Sequence, residues 1–470
     1  MKQTILILLL LIASSGAHSQ SKDSVNMLEA EDILHLVRKF HPVVRQSAIL
    51  VNKADADVLI ARSAFDPVFR YTTSDKTFNN LHYYHYASPE LRIPTWYGVE
   101  LFGGLEDLSG NATDPTQTLG ESSYVGFSIP LAKNLVIDKR RAFLQQAKIF
   151  STMSAIQQRQ IINDLSLQAM EAYWTWVKAY QNYTMIKNNV EINRARLDLV
   201  RKSWRNGERP AIDTTEALTQ LQAFQLQEQY SWLEFRNAGL ELSVYLWADN
   251  NMPYTLPENV IPGSRLINET SSDSTRIDLD NLLAIAEKSH PALNLFDYKL
   301  DALQIDKNLK FQELLPAMDL SYRHLAKGYN PLETTPNSAF QNNYQYSFTL
   351  EIPLRLSQGR GEYKKAKLRL EETNLDYARK KLDIEVRIKS YYNQFLALKA
   401  QVELQSMQYK NLRKLVNAEE MKFLNGESSL FLINSRENKA LEAMQKLIEL
   451  KTQYFKTLYT LQWSAGLLQY

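Results

Sequence analysis

An uninterrupted apolar period in the middle of the chain limits its fold more than any other feature. From Ile162 to Trp204, apolar residues recur at alternating steps of three and four, and no proline or glycine interrupts the stretch between Arg141 and Gly207. This 3.5-residue period predicts a helix, roughly 95 Å long at 1.5 Å per residue, that packs along a partner as a left-handed coiled coil. The stripe consists of Ile162, Leu165, Ala169, Ala172, Trp176, Ala179, Tyr183, Ile186, Val190, Asn193, Leu197, Val200 and Trp204, of which only Asn193 is polar.

The same stripe occurs a second time, 219 residues further along. Arg141 corresponds to Arg360, and Asn206-Gly207-Glu208 corresponds to Asn425-Gly426-Glu427, with no insertion between these marks. The sequence therefore predicts that one supersecondary unit is used twice. The second stripe consists of Ile384, Ile388, Tyr391, Phe395, Leu398, Val402, Gln405, Tyr409, Leu412, Val416, Glu419 and Phe423.

The composition excludes several kinds of function. Lys and Arg number 54 against 52 Asp and Glu, so the net charge of +2 creates no field that would attract nucleic acid. The chain has no cysteine, which rules out disulfides, thiolate metal sites and cysteine nucleophiles.

Residues 1–19 have the pattern of a cleaved signal peptide. A basic start at Lys2 precedes a short apolar run, and the small residues that follow place the cleavage after Ala17 or Ser19. A membrane anchor is the alternative, but the run is shorter than the roughly 20 apolar residues that a spanning helix needs. No other segment reaches that length either, so we expect any membrane crossing to use strands.

The rest of the chain divides into two repeats, residues 20–247 and 278–470, joined by a linker at 248–277 that is rich in Pro, Asn and Ser. The sequence of each repeat predicts, in this order, helices, a strand pair, a very long helix, a tight turn and a returning helix. The early helices break at His41 and His290, each directly before a proline, and we interpret both as helix stops rather than metal ligands. The predicted strands lie at about 96–108, 122–131, 317–325 and 343–354, and the predicted coiled coils at 141–247 and 360–466.

The four predicted strands alternate between apolar and polar residues. Val125, Phe127, Leu320 and Phe348 fall on the apolar side. This alternation predicts either a membrane β-barrel with its apolar side toward lipid, or an ordinary hairpin packed on a helix. In a barrel, the side chains toward the lumen would be Glu100, Ser128, Asp319, Ser321, Arg323, Thr349 and Glu351.

Residues 67–95 are interpreted as an excursion outside the bilayer, because one further strand would leave an odd number of crossings. His82 and His85 lie in this segment with a spacing that suits a metal pair. The tyrosines around them favour an aromatic girdle at a barrel rim instead.

The two long helices end at glycines that suit a left-handed helix terminus, Gly207 and Gly426. The returning helix of the first repeat is predicted to start with Asp213 or Thr214 as its N-cap. Ser428 or Ser429 is the predicted N-cap in the second repeat.

This layout resembles the TolC-like outer-membrane efflux proteins. The marks of the resemblance are the doubled Ile-Pro-Leu strand ends, the Arg-x5-Ala-Lys helix starts and the tips "NGERPAIDTTEA" and "NGESSLFLINSRENKALEA". Asp213 matches the tip aspartate of the family, whereas the second tip has Leu432 at the cognate position and Ser435 at a second position that is acidic in some members. The resemblance implies a periplasmic tip and gate formed by Asn206, Gly207, Glu208, Asp213, Phe423, Asn425, Gly426, Glu427, Leu432, Asn434, Ser435 and Glu437.

The fold class that follows is mainly α, with two helix–hairpin–long helix–helix repeats that form a long coiled-coil barrel and give four strands per chain to a shared membrane β-barrel. The resemblance implies a homotrimer in the outer membrane of a Gram-negative bacterium, extending into the periplasm. The implied function is that of a passive exit duct of a tripartite efflux or type I secretion system. Its partners would be outer-membrane lipid, a periplasmic adaptor protein and an inner-membrane pump.

An exported coiled-coil adhesin or envelope scaffold without a channel is the competing interpretation. It explains the helices and the signal peptide but not the alternation in the four strands. An enzyme is not expected, because the sequence offers no nucleophile–base arrangement, metal cluster or cofactor loop. We therefore predict no cofactor.

Overall fold

The computed structural model describes residues 26–111, 118–257, 259–263, 277–329 and 343–469. The predicted signal peptide at 1–19 lies outside these residues, as do 264–276 of the predicted linker. The described part of that linker contains three short strands, one of which pairs in parallel with the first strand of the chain.

Long helices dominate each repeat, as the apolar stripes predict. In the first repeat, α3 and α4 are separated by five residues, and the corresponding pair in the second repeat, α7 and α8, is separated in the same way. The helices are α1 (Ala30–Phe40), α2 (Pro42–Arg62), α3 (Lys139–Arg205), α4 (Ala211–Ser243), α5 (Leu279–Ser289), α6 (Pro291–Gln312), α7 (Ser357–Leu424) and α8 (Leu430–Ser464).

The two His-Pro pairs mark helix junctions, as the sequence predicts. His41 ends α1 directly before Pro42, and its backbone N–H donates to the carbonyl oxygen of Val37. His290 ends α5 and is also the N-cap of α6, where its Nδ1 accepts a hydrogen bond from the N–H of Ala292 at 3.1 Å. The imidazole of His290 thus caps a helix, whereas the bond described for His41 is made by its backbone.

Six strands form one antiparallel sheet in the order β10-β9-β5-β4-β3-β2. Strands β5 and β9 join the two repeats, and β2 and β10 are the free edges. The strands among the described residues are β1 (Asn26–Leu28), β2 (Val68–Phe78), β3 (Leu81–Pro94), β4 (Glu100–Ser109), β5 (Gly120–Pro130), β6 (Trp247–Ala248), β7 (Met252–Pro253), β8 (Val260–Pro262), β9 (Ala317–Lys327) and β10 (Tyr344–Glu351).

The prediction of four strands is corrected by this topology, because part of the segment 67–95, interpreted from the sequence as an excursion outside the bilayer, pairs with the sheet. Residues 68–94 form a complete hairpin, so the parity argument fails because the segment supplies two strands rather than one. Asn79 and Asn80 at its tip have φ values of 55° and 59°. Two consecutive left-handed residues make the tight turn that matches strand twist, and asparagine is well suited to it. β3 then pairs with β4 and brings the hairpin into the sheet.

The described chain forms two compact units, and each contains segments of both repeats. The repeats therefore do not fold as separate domains. One unit comprises Met1–His41, Leu165–Arg276 and Asn393–Thr460, and the other comprises Pro42–Asp164, Ile277–Tyr392 and Leu461–Tyr470.

Stacked aromatic rings give the order of the helices in the first unit. Phe235 of α4 stacks on Trp176 of α3 with ring centroids 6.1 Å apart. Trp174 of α3 stacks on Phe455 of α8 at 4.3 Å. The order α4–α3–α8–α7 follows, since Phe395 of α7 stacks on Tyr454 of α8 at 5.0 Å. In the second unit, α5 and α6 pack on α7 and on the end of α8 through Leu282, Ala286, Ala292, Leu293, Ile384, Ile388, Leu461 and Ala465.

Candidate functional site

Two regions contain the residues that the sequence singled out, and each lies within one unit. The first region is the tip, where α3 turns into α4 and α7 turns into α8. The second region is the polar face of the six-stranded sheet.

The two turns of the tip have the same backbone structure. Gly207 and Gly426 have φ values of 78° and 77°, which place both in the left-handed region. The N–H of Glu208 donates to the carbonyl oxygen of Ser203 at 2.9 Å, and the N–H of Glu427 donates to that of Lys422 at 2.8 Å. These are the six-to-one bonds of a Schellman motif, which satisfies the carbonyl groups at the end of a helix. The predicted helix ends at the two glycines are therefore observed.

The helix that follows the first turn does not start at the predicted cap. Pro210 is the N-cap of α4 and its side chain accepts no bond, while the N–H of Asp213 donates to the Pro210 carbonyl oxygen at 3.2 Å. Asp213 is thus the third residue of the helix. Its carboxylate lies 3.4 Å from Nη1 of Arg209. In the second repeat, Ser429 directly precedes α8 and its Oγ accepts from the N–H of Leu432 at 3.4 Å, which agrees with the prediction.

Arg209 connects the two turns of the tip. Its guanidinium carbon lies 3.7 Å from the centroid of the Phe423 ring, within the range of a cation–π contact. Its Nη2 also donates to the carbonyl oxygen of Phe423 at 2.9 Å. The side chain therefore holds both the ring and the backbone at the end of α7.

The ring of Phe423 is part of an apolar cluster and is only 4% exposed. Two neighbouring apolar residues of the second tip are exposed instead, Phe431 at 70% and Leu432 at 44%. The cluster consists of Val190, Leu197, Val200, Ala217, Leu221, Phe224, Phe423, Leu430 and Ile433.

Beside this cluster lies a buried ion pair that the sequence did not predict. Nη1 of Arg196 is 2.6 Å from Oε2 of Glu437, and the two side chains are 8% and 4% exposed. Asn193 Nδ2 donates to the same Oε2 at 3.2 Å. Glu437, which the resemblance places among the residues of the tip and gate, is buried in this pair in the described chain. Arg196 also donates to the more exposed Glu420 at 3.1 Å.

The other predicted tip residues differ in exposure. Asn434 is buried and its Nδ2 donates to Glu216 Oε1 at 3.1 Å. Ser435 is partly buried. The residues of the two turns are exposed to solvent, namely Asn206, Gly207, Glu208, Asn425, Gly426 and Glu427.

The sequence signal that could have indicated such buried polar contacts was the presence of a few polar residues within the apolar stripes. Glu419 accepts from Arg436 Nε at 2.6 Å and from Ser428 Oγ, and these bonds, led by that from Ser428, lower the pKa of Glu419. Gln405 Nε2 donates to the carbonyl oxygen of Ala443 at 2.9 Å. A polar residue in a buried stripe must find a partner, but its sequence position does not identify that partner.

The second region, the polar face of the sheet, contains all seven residues predicted to face a lumen. Residues directly opposite each other on neighbouring strands share a face. Glu100 pairs with Ser128, which pairs with Ser321, and the remaining four follow the same alternation. The hairpin that the sequence left out extends this face, because Glu90 lies opposite Gly104 and Arg92 lies opposite Phe102.

The other face of the sheet is apolar and exposed. It carries Phe69 on β2, Leu91 on β3, Leu101 on β4, Val125 on β5 and Phe348 on β10, each at least 43% exposed. Within the residues that the structure describes, no helix combines the length and the apolar character needed to span a membrane. The same residues include no group of three His, Cys, Asp or Glu side chains placed to hold a metal ion.

Residues 282–467 match the family described as outer membrane efflux protein. None of the curated protein sequences is significantly similar to the chain. The fold is similar to that of the Campylobacter jejuni CmeC outer membrane channel, with a TM-score of 0.64 at 14% identity over 93% of this chain and 85% of that chain.

Two further solved structures share the fold. The Neisseria gonorrhoeae MtrE outer membrane channel aligns with a TM-score of 0.63 at 12% identity, over 93% of this chain and 88% of that chain. The Vibrio cholerae outer membrane protein VceC aligns with a TM-score of 0.62 at 12% identity, over 93% of this chain and 96% of that chain. The predicted resemblance to the TolC-like outer membrane efflux proteins is thus supported by the family match over residues 282–467 and by the common fold over 93% of the chain, and the description of that family agrees with the predicted outer-membrane location.

Proposed function

We propose that this protein is the outer-membrane exit duct of a tripartite efflux or type I secretion system. It acts as a passive trimeric channel that extends into the periplasm and is gated at its helical tips. It performs no chemistry and uses no cofactor. The observation that carries the proposal is the six-stranded sheet, which has an exposed apolar face and a continuous polar face.

This sheet suits a membrane only when several copies share it. Its free edges, β2 and β10, present unpaired backbone groups that lipid cannot satisfy. The smallest closed membrane barrels have about eight strands, so the six strands of one chain are too few. Edge-to-edge pairing between copies removes both free edges and places the apolar face toward lipid. The polar face then lines the lumen.

The free edges of the helical layer support the same assembly. Helices α4 and α7 are at the two ends of the order α4–α3–α8–α7, and each has a second apolar stripe that remains exposed. The exposed residues are Leu226, Tyr230, Leu233 and Leu240 on α4 with Val244 directly after it, and Leu396, Leu404, Met407, Leu415 and Met421 on α7. The match between the two edges favours a second copy of this chain as the partner of each stripe.

The tips are the proposed docking surface for a periplasmic adaptor, which links the duct to an inner-membrane pump. Glu208 and Glu427 are exposed at the two turns, so reversing their charge should weaken adaptor binding without affecting the trimer. Adaptor crosslinks that map only to the middle of the helices would contradict this docking surface.

The competing proposal is an exported adhesin or scaffold without a channel. A scaffold has no use for an exposed apolar sheet face, which would promote aggregation in water. It would also be soluble without detergent, which gives a simple first distinction between the two proposals.

Planar-bilayer recording with a matched pair of variants tests the duct. The purified parent should form a detergent-dependent oligomer that conducts ions. Phe348→Arg places a charge on the apolar face at a cost of about 2–4 kcal/mol if the site is at mid-membrane, and should abolish assembly. Its neighbour Ser347→Arg lies on the polar face and should assemble normally. Equal behaviour of the two variants, or a soluble parent without conductance, would refute the proposal.

A further inference from the structure

An aromatic ring on the polar face of the sheet lies between two arginines. The guanidinium carbons of Arg92 and Arg323 are 5.3 Å and 5.4 Å from the centroid of the Phe102 ring. Arg323 also lies 5.0 Å from the Tyr124 ring. Arg323 was predicted to face the lumen, whereas Arg92 belongs to the hairpin that the sequence left out.

Two glycines allow the rings to lie flat on the sheet. A Cβ at Gly126 would lie 2.6 Å from Cε2 of Phe102, and one at Gly104 would lie 2.8 Å from the hydroxyl oxygen of Tyr124. No other residue type leaves this space. Phe102 and Tyr124 are consequently only 5% and 3% exposed, although they are on the polar face.

The carboxylates that pair with the two arginines are less exposed than the guanidinium groups. Glu90 accepts from Arg92 at 3.1 Å and from the Tyr124 hydroxyl at 2.9 Å, and it is 12% exposed. Glu106 lies 3.9 Å from Arg323 and is 15% exposed. Arg92 and Arg323 are 37% and 33% exposed. Glu100 also accepts from Arg92 at 3.2 Å and is 25% exposed, so both arginines are more exposed than the carboxylates that pair with them.

We propose that Arg92 and Arg323, held on either side of Phe102, form a basic ring in the lumen that makes the pore select for anionic solutes. Rings of charged side chains set ion selectivity in pores, and guanidinium groups suit carboxylate and phosphate ligands. At the tip, the positions that are acidic in some relatives carry Leu432 and Ser435, so they supply no opposing acidic ring. This inference rests on the proposed function, because it needs the polar face to line a conducting lumen.

The test measures the reversal potential of single pores across a KCl gradient. Arg92→Gln with Arg323→Gln leaves the buried carboxylates uncompensated and should shift the permeability ratio several-fold toward potassium. Glu90→Gln with Glu106→Gln should shift it toward chloride. The conservative pair Arg92→Lys with Arg323→Lys should retain the parent ratio. Arg379→Gln removes one positive charge from the exposed surface of α7 and is the matched control, expected to have no effect.

The outcomes separate this inference from the proposed function. Pores of normal conductance whose reversal potential is the same in the parent and in both charge-removing pairs would overturn the basic ring and leave the duct intact. A parent that forms no conducting pore would overturn the duct and the ring together. If the variant with both arginines replaced fails to assemble, the variant with both glutamates replaced is still decisive. A permeability ratio that does not shift toward chloride in that variant refutes the basic ring.

Discussion

Replacing Arg196 by methionine should loosen the tip more than any other single change near the proposed gate. Arg196 and Glu437 are 8% and 4% exposed and 2.6 Å apart, so they form a buried pair. Removing one partner of such a pair leaves an uncompensated buried charge and typically costs about 3–5 kcal/mol. After Arg196→Met, Glu437 would keep the amide of Asn193 as its remaining donor among the contacts described above.

Replacing Glu437 should cost less than replacing Arg196, because Arg196 has more partners left once the pair is broken. After Glu437→Gln, Arg196 still donates to Glu420 at 3.1 Å and to Asn193 Oδ1 at 3.2 Å. Glu420 is 40% exposed, so the charge of Arg196 stays in contact with solvated groups. We expect about 1–3 kcal/mol for this variant, the usual range for one impaired buried hydrogen bond. The double variant Arg196→Met with Glu437→Leu should recover much of the loss, since apolar replacements of buried pairs are often neutral.

Hydrogen exchange of tip peptides measures these costs locally. This assay is preferable to global unfolding, which is not expected to be two-state in a chain with two compact units. A cost of 3–5 kcal/mol corresponds to a loss of protection of about two to three and a half orders of magnitude. Arg194→Met is the matched control, because its pair with Glu191 is 54% and 61% exposed and should contribute less than about 1 kcal/mol. Unchanged exchange in Arg196→Met, or equal losses in the two single variants, would refute the reasoning.

Three further predictions concern pH, assembly and packing. Burial, together with nearby Lys380 and Arg387, lowers the pKa of His290 from 6.5 to about 4, so the fold favours the neutral ring and should lose stability as pH falls from 6.5 toward 4. His290→Asn keeps an acceptor for the N–H of Ala292 and should remove this dependence of stability on pH. Melting temperatures at pH 7 and pH 5 measure it, and an equal fall in melting temperature in parent and variant would contradict the prediction. Leu226 and Met407 each lie 19 residues from the glycine of their tip, so they should meet where α4 of one copy packs on α7 of another. Leu226→Cys with Met407→Cys should therefore form a disulfide between copies of this cysteine-free chain. Crosslinking only within one chain would exclude the α4–α7 contact between copies. Gly126→Ala should prevent assembly because its Cβ would overlap the carbonyl oxygen of Tyr322, whereas Gly361→Ala meets no atom within 4 Å and should assemble normally on native gels. Normal assembly of Gly126→Ala would show that the rings are not fixed as described.

The features that the sequence predicted correctly are those repeated along the chain. The apolar stripes and the offset of 219 residues predicted α3 and α7, and the glycines after them predicted both Schellman turns. Alternation in β4, β5, β9 and β10 assigned the seven polar-face residues correctly to one side. Each of these signals is local and periodic, and regular backbone geometry converts it directly into structure.

The features that were missed depend on one short turn or on a distant partner. The hairpin at 68–94 was missed because Thr73, Asp75 and Thr77 weaken the alternation of β2, and the turn signal was limited to Asn79 and Asn80. Asn193 was recognised as the polar member of its stripe, but its partner Glu437 lies 244 residues away. The N-cap prediction failed at Asp213 because Pro210 starts the helix three residues earlier.

Arg209 gives the sharpest test of the proposed gate, because it is the residue that fastens one turn of the tip to the other. Its cation–π contact with Phe423 contributes about 0.5–2 kcal/mol, and its charged hydrogen bond to the Phe423 carbonyl oxygen about 1.5–3 kcal/mol. Arg209→Ala should therefore destabilise the contact between the two turns by about 2–5 kcal/mol, which raises the population of the state without this contact by about 30- to 5,000-fold. The expected result is a higher resting conductance in planar bilayers, with an unchanged oligomer on native gels. Asp213→Asn leaves both contacts with Phe423 in place and should change conductance far less, and the exposed Arg205→Ala is the control for loss of charge. Leu432→Ser tests the exposed apolar residues at the second tip independently, since it touches neither contact. A pore that conducts more after Leu432→Ser but not after Arg209→Ala would place the constriction at the exposed apolar residues of the second tip. It would also show that the contacts of Arg209 with Phe423 do not keep the pore closed.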